Sequence, residues 1–244
     1  MTNTWIVFRR EFAVYFSTPL AYVFIVIFLA LSGAFTFYMG GFFERGEADL
    51  QSFFSFQPWL FLLLVPAVSM RLWAEERKGG TIELLMTLPI STTEAVAGKF
   101  LAAWAFITLA QSLTFPLWLT VNYLGDPDNG RILASYLGSL VMAGAYLAIG
   151  SSISAMTRNQ VIAFIVTSVV CFLFLLSGAE LVLAFFRGWA PDVVVDFISG
   201  ISFLTHFTAI SKGIIDLRDV VFFATLIGAT LYLNVAIVDL RKGA

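Results

Sequence analysis

Residues 20–43 read LAYVFIVIFLALSGAFTFYMGGFF, a run of 24 residues without a charged side chain. A helix needs about 20 apolar residues to cross a hydrocarbon layer of about 30 Å, because backbone groups in lipid must be hydrogen-bonded within the segment. This run therefore predicts a membrane-spanning helix that begins near Leu20. The run is longer than the apolar part of a secretory signal, so we expect it to remain in the mature protein.

The whole chain has the same apolar character. Of its 244 residues, 59% are hydrophobic and 12% are charged, whereas soluble domains carry about 25% charged residues. A soluble globular protein is excluded, because it could not cover this much hydrocarbon. The net charge of −2 excludes a nucleic-acid-binding protein, which would concentrate positive charge on one face. The single cysteine, Cys171, allows neither an internal disulfide nor a cysteine-based zinc site.

Charged residues divide the chain into six uncharged intervals of span length, and a transmembrane helix is predicted around each of them. The predicted fold class is an all-α polytopic membrane protein, a single domain over residues 1–244. Residues 187–219 alternate short apolar pieces with glycine, proline and acids, which is typical of short outer interfacial or re-entrant helices before the last span. The six predicted transmembrane helices are 20–43, 53–74, 95–124, 132–156, 159–186 and 220–240.

The third predicted span is too long for a bilayer crossed at a right angle, so it must tilt, kink near Pro116 or protrude. Six spans place both termini on one side of the membrane. Of the 14 Lys and Arg residues, nine lie on that side and five on the other. Because positive residues are retained in the cytoplasm, both termini are predicted to be cytoplasmic.

Residues 4–17 precede the first span with an amphipathic pattern that Pro19 ends. They predict a helix that lies in the cytoplasmic membrane interface, and the alternative is that they form the cytoplasmic start of the first span. The aromatic side chains that share one arc of this helix are Trp5, Phe8, Phe12, Tyr15 and Phe16.

The only long cytoplasmic loop of this arrangement lies between the second and third spans. Residues 81–88 predict a short amphipathic helix there, since Thr81 can cap its start, Glu83 meets the positive end of its dipole and Pro89 ends it. A helix of two turns is not stable alone in water, so another surface must bury its apolar side chains.

The loop is followed by a second helix start. Ser91 and Glu94 have the spacing of a capping box, which begins the helix of the third span. A capped helix between two long membrane helices can transmit force to them.

The stretch from Glu75 to Ser91, EERKGGTIELLMTLPIS, resembles the E-E-x-x-x-G-T-x-E-L-L-x-x-L-P-[IL]-S stretch of ABC-2 type transporter permeases. Further matching stretches extend the resemblance over the whole chain. Within the family, the sequence looks closest to the single-domain permeases of gliding motility (GldF-like) and, more distantly, of nitrous-oxide-reductase maturation (NosY-like). The further stretches are residues 9–12, 58–61, 66–71, 206–207 and 212–219.

The resemblance implies a permease subunit in a bacterial cytoplasmic (inner) membrane. It couples ATP hydrolysis by a separate ABC ATPase subunit to export or mechanical transfer. Residues 81–88 are then the coupling helix, which docks in a groove of that ATPase. The residues assigned to this contact are Glu75, Glu76, Gly80, Thr81, Ile82, Glu83, Leu84, Leu85, Leu88 and Pro89.

The expected partners follow from the same resemblance. They are the ATPase subunit, which alone binds ATP and Mg²⁺, a second permease protomer that is identical or related, the lipid bilayer and a periplasmic or auxiliary membrane subunit. Nucleic acid is not expected.

The chain lacks the motifs of an enzyme. No G-x-x-x-x-G-K-[ST] phosphate loop, H-E-x-x-H or G-x-S-x-G occurs in it, so no catalytic or metal site and no bound cofactor are predicted. Two other functions stay open: an assembly or mechanotransmission component with little substrate flux, and an ion-coupled secondary transporter. The latter would show inverted repeats and charged or broken helices at the membrane midplane.

Three polar residues stand out from the apolar background. Gln111 and Glu180 are candidates for a transport pathway. The alternatives are an interhelical hydrogen bond for Gln111 and an ion pair with Arg187 for Glu180. The single histidine, His206, is expected to be a surface or packing residue and not a metal ligand.

Overall fold

The computed structural model describes residues 3–82 and 89–240, and it is built from helices. A π-helical turn, Phe35–Met39, extends the second helix. In chain order the helices are α1 (Asn3–Ser17), α2 (Pro19–Ala34), α3 (Gln51–Ser69), α4 (Ala74–Gly79), α5 (Thr92–Ser112), α6 (Phe115–Leu124), α7 (Asn129–Met156), α8 (Gln160–Leu176), α9 (Glu180–Arg187), α10 (Asp192–Gly200), α11 (Phe203–Ser211) and α12 (Leu217–Leu240).

Several helical stretches are long and apolar enough to cross a membrane, which confirms the predicted class of an all-helical membrane protein. Two further pairs, α8 with α9 and α10 with α11, qualify only as bent pairs, with bends of 69° and 64°. The described residues therefore hold five to seven candidate spans. The five unambiguous ones are Pro19–Met39, Gln51–Gly79, Thr92–Leu124, Asn129–Met156 and Leu217–Leu240.

Helix α1 is separate from the first span. Thr18 has extended backbone angles (φ −119°, ψ 145°), and Pro19 lies in the first turn of α2, where its missing N–H costs no hydrogen bond. Along α1 the Trp5, Phe8 and Phe12 rings form a ladder, with centroid separations of 4.9 and 5.8 Å.

α1 packs lengthwise on α5. A Cβ atom on Gly98 would lie 2.7 Å from Val7, so the glycine is what allows the two helices to touch. Eight residues further along each helix, the Tyr15 ring stacks on Phe106 at 4.8 Å. The two helices therefore run side by side in the same direction.

α7 is the central helix of the bundle and packs against α3, α5, α8, α11 and α12. Its glycines allow close approach, because a Cβ on Gly138 would lie 2.6 Å from Ile210 and one on Gly150 would lie 2.1 Å from Ser69 Oγ. The core of the described bundle is consequently arranged around α7.

The interval 159–186 is not the single straight helix that its apolar run predicts. α8 ends at Leu176, and α9 begins at Glu180 after the 69° bend. Between them, a Cβ on Gly178 would lie 2.3 Å from Thr205 Oγ1 and 2.4 Å from Ser202 Oγ. The start of α11 therefore passes directly against Gly178, and the chain turns there.

The third predicted span is also interrupted. α5 ends at Ser112 and α6 begins at Phe115, with Pro116 in its first turn. The alternatives for this long segment were a tilt, a kink near Pro116 or a protrusion. The observed break coincides with the kink near Pro116.

Candidate functional site

The candidate site surrounds residues 83–88, which form most of the predicted coupling helix. These residues lie outside the described part of the chain. They include four of the candidate contacts with the ATPase: Glu83, Leu84, Leu85 and Leu88. The residues on either side of the segment are described, and they show how it is attached to the bundle.

At its entry, α4 ends on a glycine. Gly80 has a left-handed backbone (φ 69°), and its N–H donates to the Glu76 carbonyl, a helix end that other residues adopt at a cost. The Thr81 hydroxyl donates to the same carbonyl at 3.4 Å, and Ile82 is partly buried against the core.

A group of charged side chains fixes α4 to the helices beside it. Lys99 on α5 is 1% exposed. Its Nζ lies 2.8 Å from Glu76 Oε1 on α4 and 3.2 Å from Glu11 Oε1 on α1. Arg10 Nη2 lies 2.5 Å from Glu11 Oε1 and 3.6 Å from Glu76 Oε1. We call Arg10, Glu11, Glu76 and Lys99 the anchor cluster.

The anchor cluster has two positive and two negative charges. Because desolvation of an ion is costly, a buried lysine is tolerated only when opposite charges lie close to it. Here the two carboxylates come from different helices, so Lys99 is compensated only while α1 and α4 stay in place. The cluster therefore makes the positions of α1, α4 and α5 interdependent.

Trp73 continues this attachment into the bundle. Lys99 Nζ lies 5.3 Å from the centre of its ring, within the range of a cation–π contact. Its backbone N–H donates to Ser154 Oγ at 3.1 Å, and its Nε1 donates to Ser151 Oγ at 3.2 Å. Asn234 Nδ2 on α12 donates to Ser151 Oγ at 2.5 Å. Trp73 thus connects the loop before α4 to α7 and, through Ser151, to α12.

At its exit, the segment is held by residues from three helices. The Pro89 carbonyl accepts from Asn3 Nδ2 at 3.4 Å. Ser91 and Glu94 have the geometry of a capping box: Glu94 Oε2 accepts from Ser91 N at 2.8 Å, and Ser91 Oγ accepts from Glu94 N at 3.2 Å. Thr92 Oγ1 donates to Asp239 Oδ1 of α12 at 2.6 Å.

The two adjacent acids of the Glu75–Glu76 pair have different surroundings. Glu75 is exposed and accepts from Arg71 Nε at 2.8 Å. Glu76 faces inward, and its Oε2 is buried without a hydrogen-bond partner among the described residues. The resemblance assigns both to the ATPase contact, whereas the structure shows Glu76 in the anchor cluster.

Acid should weaken the attachment of α1 through Glu11. Burial alone raises a carboxyl pKa, but Lys99 and then Arg10 hold the pKa of Glu11 below its usual value. The contribution of Glu11 to stability is therefore complete above the usual glutamate pKa, and it is lost as the pH falls through the lowered value. We expect Glu11→Gln to flatten the acid side of the stability-versus-pH curve, as measured by thermal unfolding in detergent. Equal curves for both proteins would contradict this assignment.

Gln111 is buried in an interhelical network. Its Oε1 accepts from Gln57 Nε2 on α3 at 3.1 Å, and its Nε2 donates to Ser139 Oγ on α7 at 3.1 Å. This geometry is that of the hydrogen-bond alternative. Gln57 was not singled out from the sequence, although an amide in an apolar helix is the signal that identified Gln111.

Glu180 is the first residue of α9, beyond the bend. Its Oε1 lies 2.5 Å from Arg187 Nη1, and their side chains are 75% and 54% exposed. The geometry is therefore that of the ion-pair alternative, and an exposed pair of this kind adds little to stability.

His206 is buried on α11, in agreement with a packing role. Its Nδ1 lies 2.6 Å from Asp219 Oδ1 and its Nε2 lies 2.9 Å from the Gly200 carbonyl oxygen. Within residues 3–82 and 89–240, no three His, Cys, Asp or Glu side chains are grouped so as to hold a metal ion.

The helices define a polytopic α-helical membrane protein in which the residues on either side of a short segment between two spans are fixed to several helices. A family model described as ABC-2 family transporter protein matches residues 5–238, and the chain belongs to this family. Permeases of the family are membrane transport components, generally not catalytic themselves, and normally work with an ABC ATPase partner. No curated protein matches the chain in sequence. The narrower likeness to gliding-motility and nitrous-oxide-reductase permeases stays a prediction.

Proposed function

We propose that the chain is the permease subunit of an ATP-driven transporter in which a separate ATPase subunit acts on residues 81–88. The observation that carries this proposal is the attachment of this segment at both ends. Its entry is held by Glu76 and Lys99, and its exit by Asn3 and Pro89. A displacement of the segment is therefore passed to α1 and α5, and through Trp73 to α7 and α12.

The proposed membrane arrangement has six spans with both termini in the cytoplasm. The pair α8–α9 is the fifth span, broken at its outer end, and α10–α11 are short outer re-entrant helices before α12. Reporter fusions should place residues 125–131 outside and residue 85 inside. The same reporters with the opposite locations would overturn this topology.

The proposed complex contains two permease protomers, identical or related, and ATPase subunits that bind ATP and Mg²⁺. Two protomers are needed because each chain supplies six spans and one coupling segment. We place the complex in a bacterial cytoplasmic membrane. The motif from Glu75 to Ser91 supports export or a mechanical transfer of the gliding-motility type, with an auxiliary membrane or periplasmic subunit as a further partner.

Glu83→Lys should lower the ATPase activity of the reconstituted complex while the spans still insert. The sequence places Glu83 in the first turn of the coupling helix, where a positive side chain opposes the helix dipole. The measurement is ATP hydrolysis in liposomes that contain the permease and its co-purified ATPase. Glu44→Lys, a charge reversal at an exposed residue of another loop, is the matched control. Equal hydrolysis rates in wild type and Glu83→Lys would count against the coupling role.

A further inference from the structure

The buried histidine has a hydrogen-bond partner at each ring nitrogen. Nδ1 faces Asp219 at the start of α12, Nε2 faces the carbonyl of Gly200 at the end of α10, and the ring lies 4.1 Å from that of Phe222. His206 and Asp219 are only 4% and 5% exposed. The contacts of one side chain therefore join α10, α11 and α12.

These two contacts fix the number of protons that the His206–Asp219 pair holds. A carbonyl oxygen only accepts, so Nε2 must carry a hydrogen. An ionised carboxylate also only accepts, so either Nδ1 carries a hydrogen as well or Asp219 is itself protonated. In both cases the pair holds one proton more than a neutral imidazole and an ionised carboxylate do. Without that proton, two lone pairs would face each other at 2.6 or 2.9 Å, and one contact would have to open.

We propose that His206 and Asp219 form a proton-binding site whose bound proton keeps α10 and α11 attached to α12. With this proton on Nδ1, the pair is an imidazolium and a carboxylate. An imidazolium and a carboxylate together are neutral, so the pair is compatible with burial in a way that neither ion alone would be. The protonated pair thus keeps α10 and α11 attached to α12, and loss of the proton releases them.

The neighbouring charges do not replace this proton. Arg218 Nη2 lies 3.4 Å from the position of a Cβ on Gly200, beside the carbonyl contact. Arg131 on α7 donates to the Ser211 carbonyl at the far end of α11. Asp219 Oδ2 is buried without a partner among the described residues. The other titratable groups of the surrounding elements are Tyr136 and Tyr146 on α7, Cys171 on α8, Tyr232 and Asp239 on α12, and the exposed Asp192, Asp196, Lys212 and Asp216.

On the topology proposed above, this end of the bundle faces away from the cytoplasm. The site then exchanges its proton with the external medium, and the attachment of the outer short helices depends on external pH. The existence of the site does not depend on that topology, because it rests only on the contacts of His206.

The single histidine makes the site directly observable. Full-length chain carrying ¹⁵N-labelled histidine, reconstituted in lipid bilayers, gives one pair of imidazole nitrogen signals, which report whether each nitrogen is protonated. At neutral pH we expect both nitrogens to be protonated, and one of them to lose its proton at alkaline pH. A bare ring nitrogen at neutral pH overturns it.

Asp219→Asn is the matched variant. Its amide donates to Nδ1 without an additional proton and preserves both contacts, so the imidazole should stay neutral. Amide hydrogen exchange of α11, corrected for intrinsic rates, should rise about tenfold or more between neutral and alkaline pH in wild type and stay constant in Asp219→Asn. The same rise in the exchange rate of α11 in both proteins overturns the proposal that the bound proton keeps these helices attached. Both measurements use the permease chain alone, so a negative result leaves the proposed transport function unaffected.

Discussion

Lys99→Met should destabilise the chain by about 3–5 kcal/mol, the usual cost of removing one partner from a buried ion pair. Lys99 is 1% exposed, and methionine fills similar space without a charge. The carboxylates of Glu11 and Glu76 then remain close together with little water and no ammonium between them. Thermal or denaturant unfolding in detergent measures the loss, and ATP hydrolysis by the reconstituted complex should fall as well.

Two controls separate the charge of Lys99 from its bulk. Lys212→Met removes an exposed lysine and should change the unfolding free energy little. Adding Glu11→Gln and Glu76→Gln to Lys99→Met should restore much of the stability, because it removes the uncompensated charges. ATP hydrolysis should remain low in this triple variant, since the helices are no longer held by charge. Wild-type stability in Lys99→Met alone would show that the anchor cluster contributes nothing.

Gly150→Ala should destabilise the bundle by about 1–3 kcal/mol, the typical cost of inserting a methyl group into a packed core. Its Cβ would lie 2.6 Å from Ser69 Cβ and 3.0 Å from Thr167 Cγ2. Rotation of the Ser69 side chain does not move its Cβ, so α3 or α8 must separate from α7. The measurement is the midpoint of thermal unfolding of the purified chain.

The comparison variant is Gly228→Ala on α12, where a Cβ would meet no atom within 4 Å among the described residues. There the same chemical change should stabilise the chain by up to about 1 kcal/mol, the difference in helix propensity between alanine and glycine. Opposite signs for the two substitutions are the expected result. A loss at both positions would mean that glycine itself, and not the approach of α3 and α8, is responsible.

Features that depend on residues close in sequence could be predicted from the sequence. The capping-box spacing of Ser91 and Glu94 and the helix end at Pro19 depend on neighbours within a few residues, because backbone hydrogen bonds at helix ends are local. The long apolar runs predicted membrane helices for the same kind of reason, since span length is a property of one continuous stretch.

The partners across helices could not be predicted in this way. Lys99 counted only as a cytoplasmic positive charge, because its burial depends on α1, which is far away in sequence. The same limitation applies to the contact of Glu76 with Lys99, which lies 23 positions further along the chain. The bend at Gly178 escaped notice because the apolar run continues past it, and the reason for the turn is the approach of Ser202 and Thr205.

The contact between Asn3 and Pro89 joins residues that are 86 positions apart in the chain. At about 5–20 residues per second, the ribosome adds Pro89, whose carbonyl is the acceptor, roughly 4–17 seconds after Asn3, the donor. During that interval α5 has not yet been synthesised, so the aromatic face of α1 cannot pack on it. The apolar environment closest to this face is then the bilayer surface. Helix α1 can therefore pack on α5 only after α2, α3 and α5 have been synthesised.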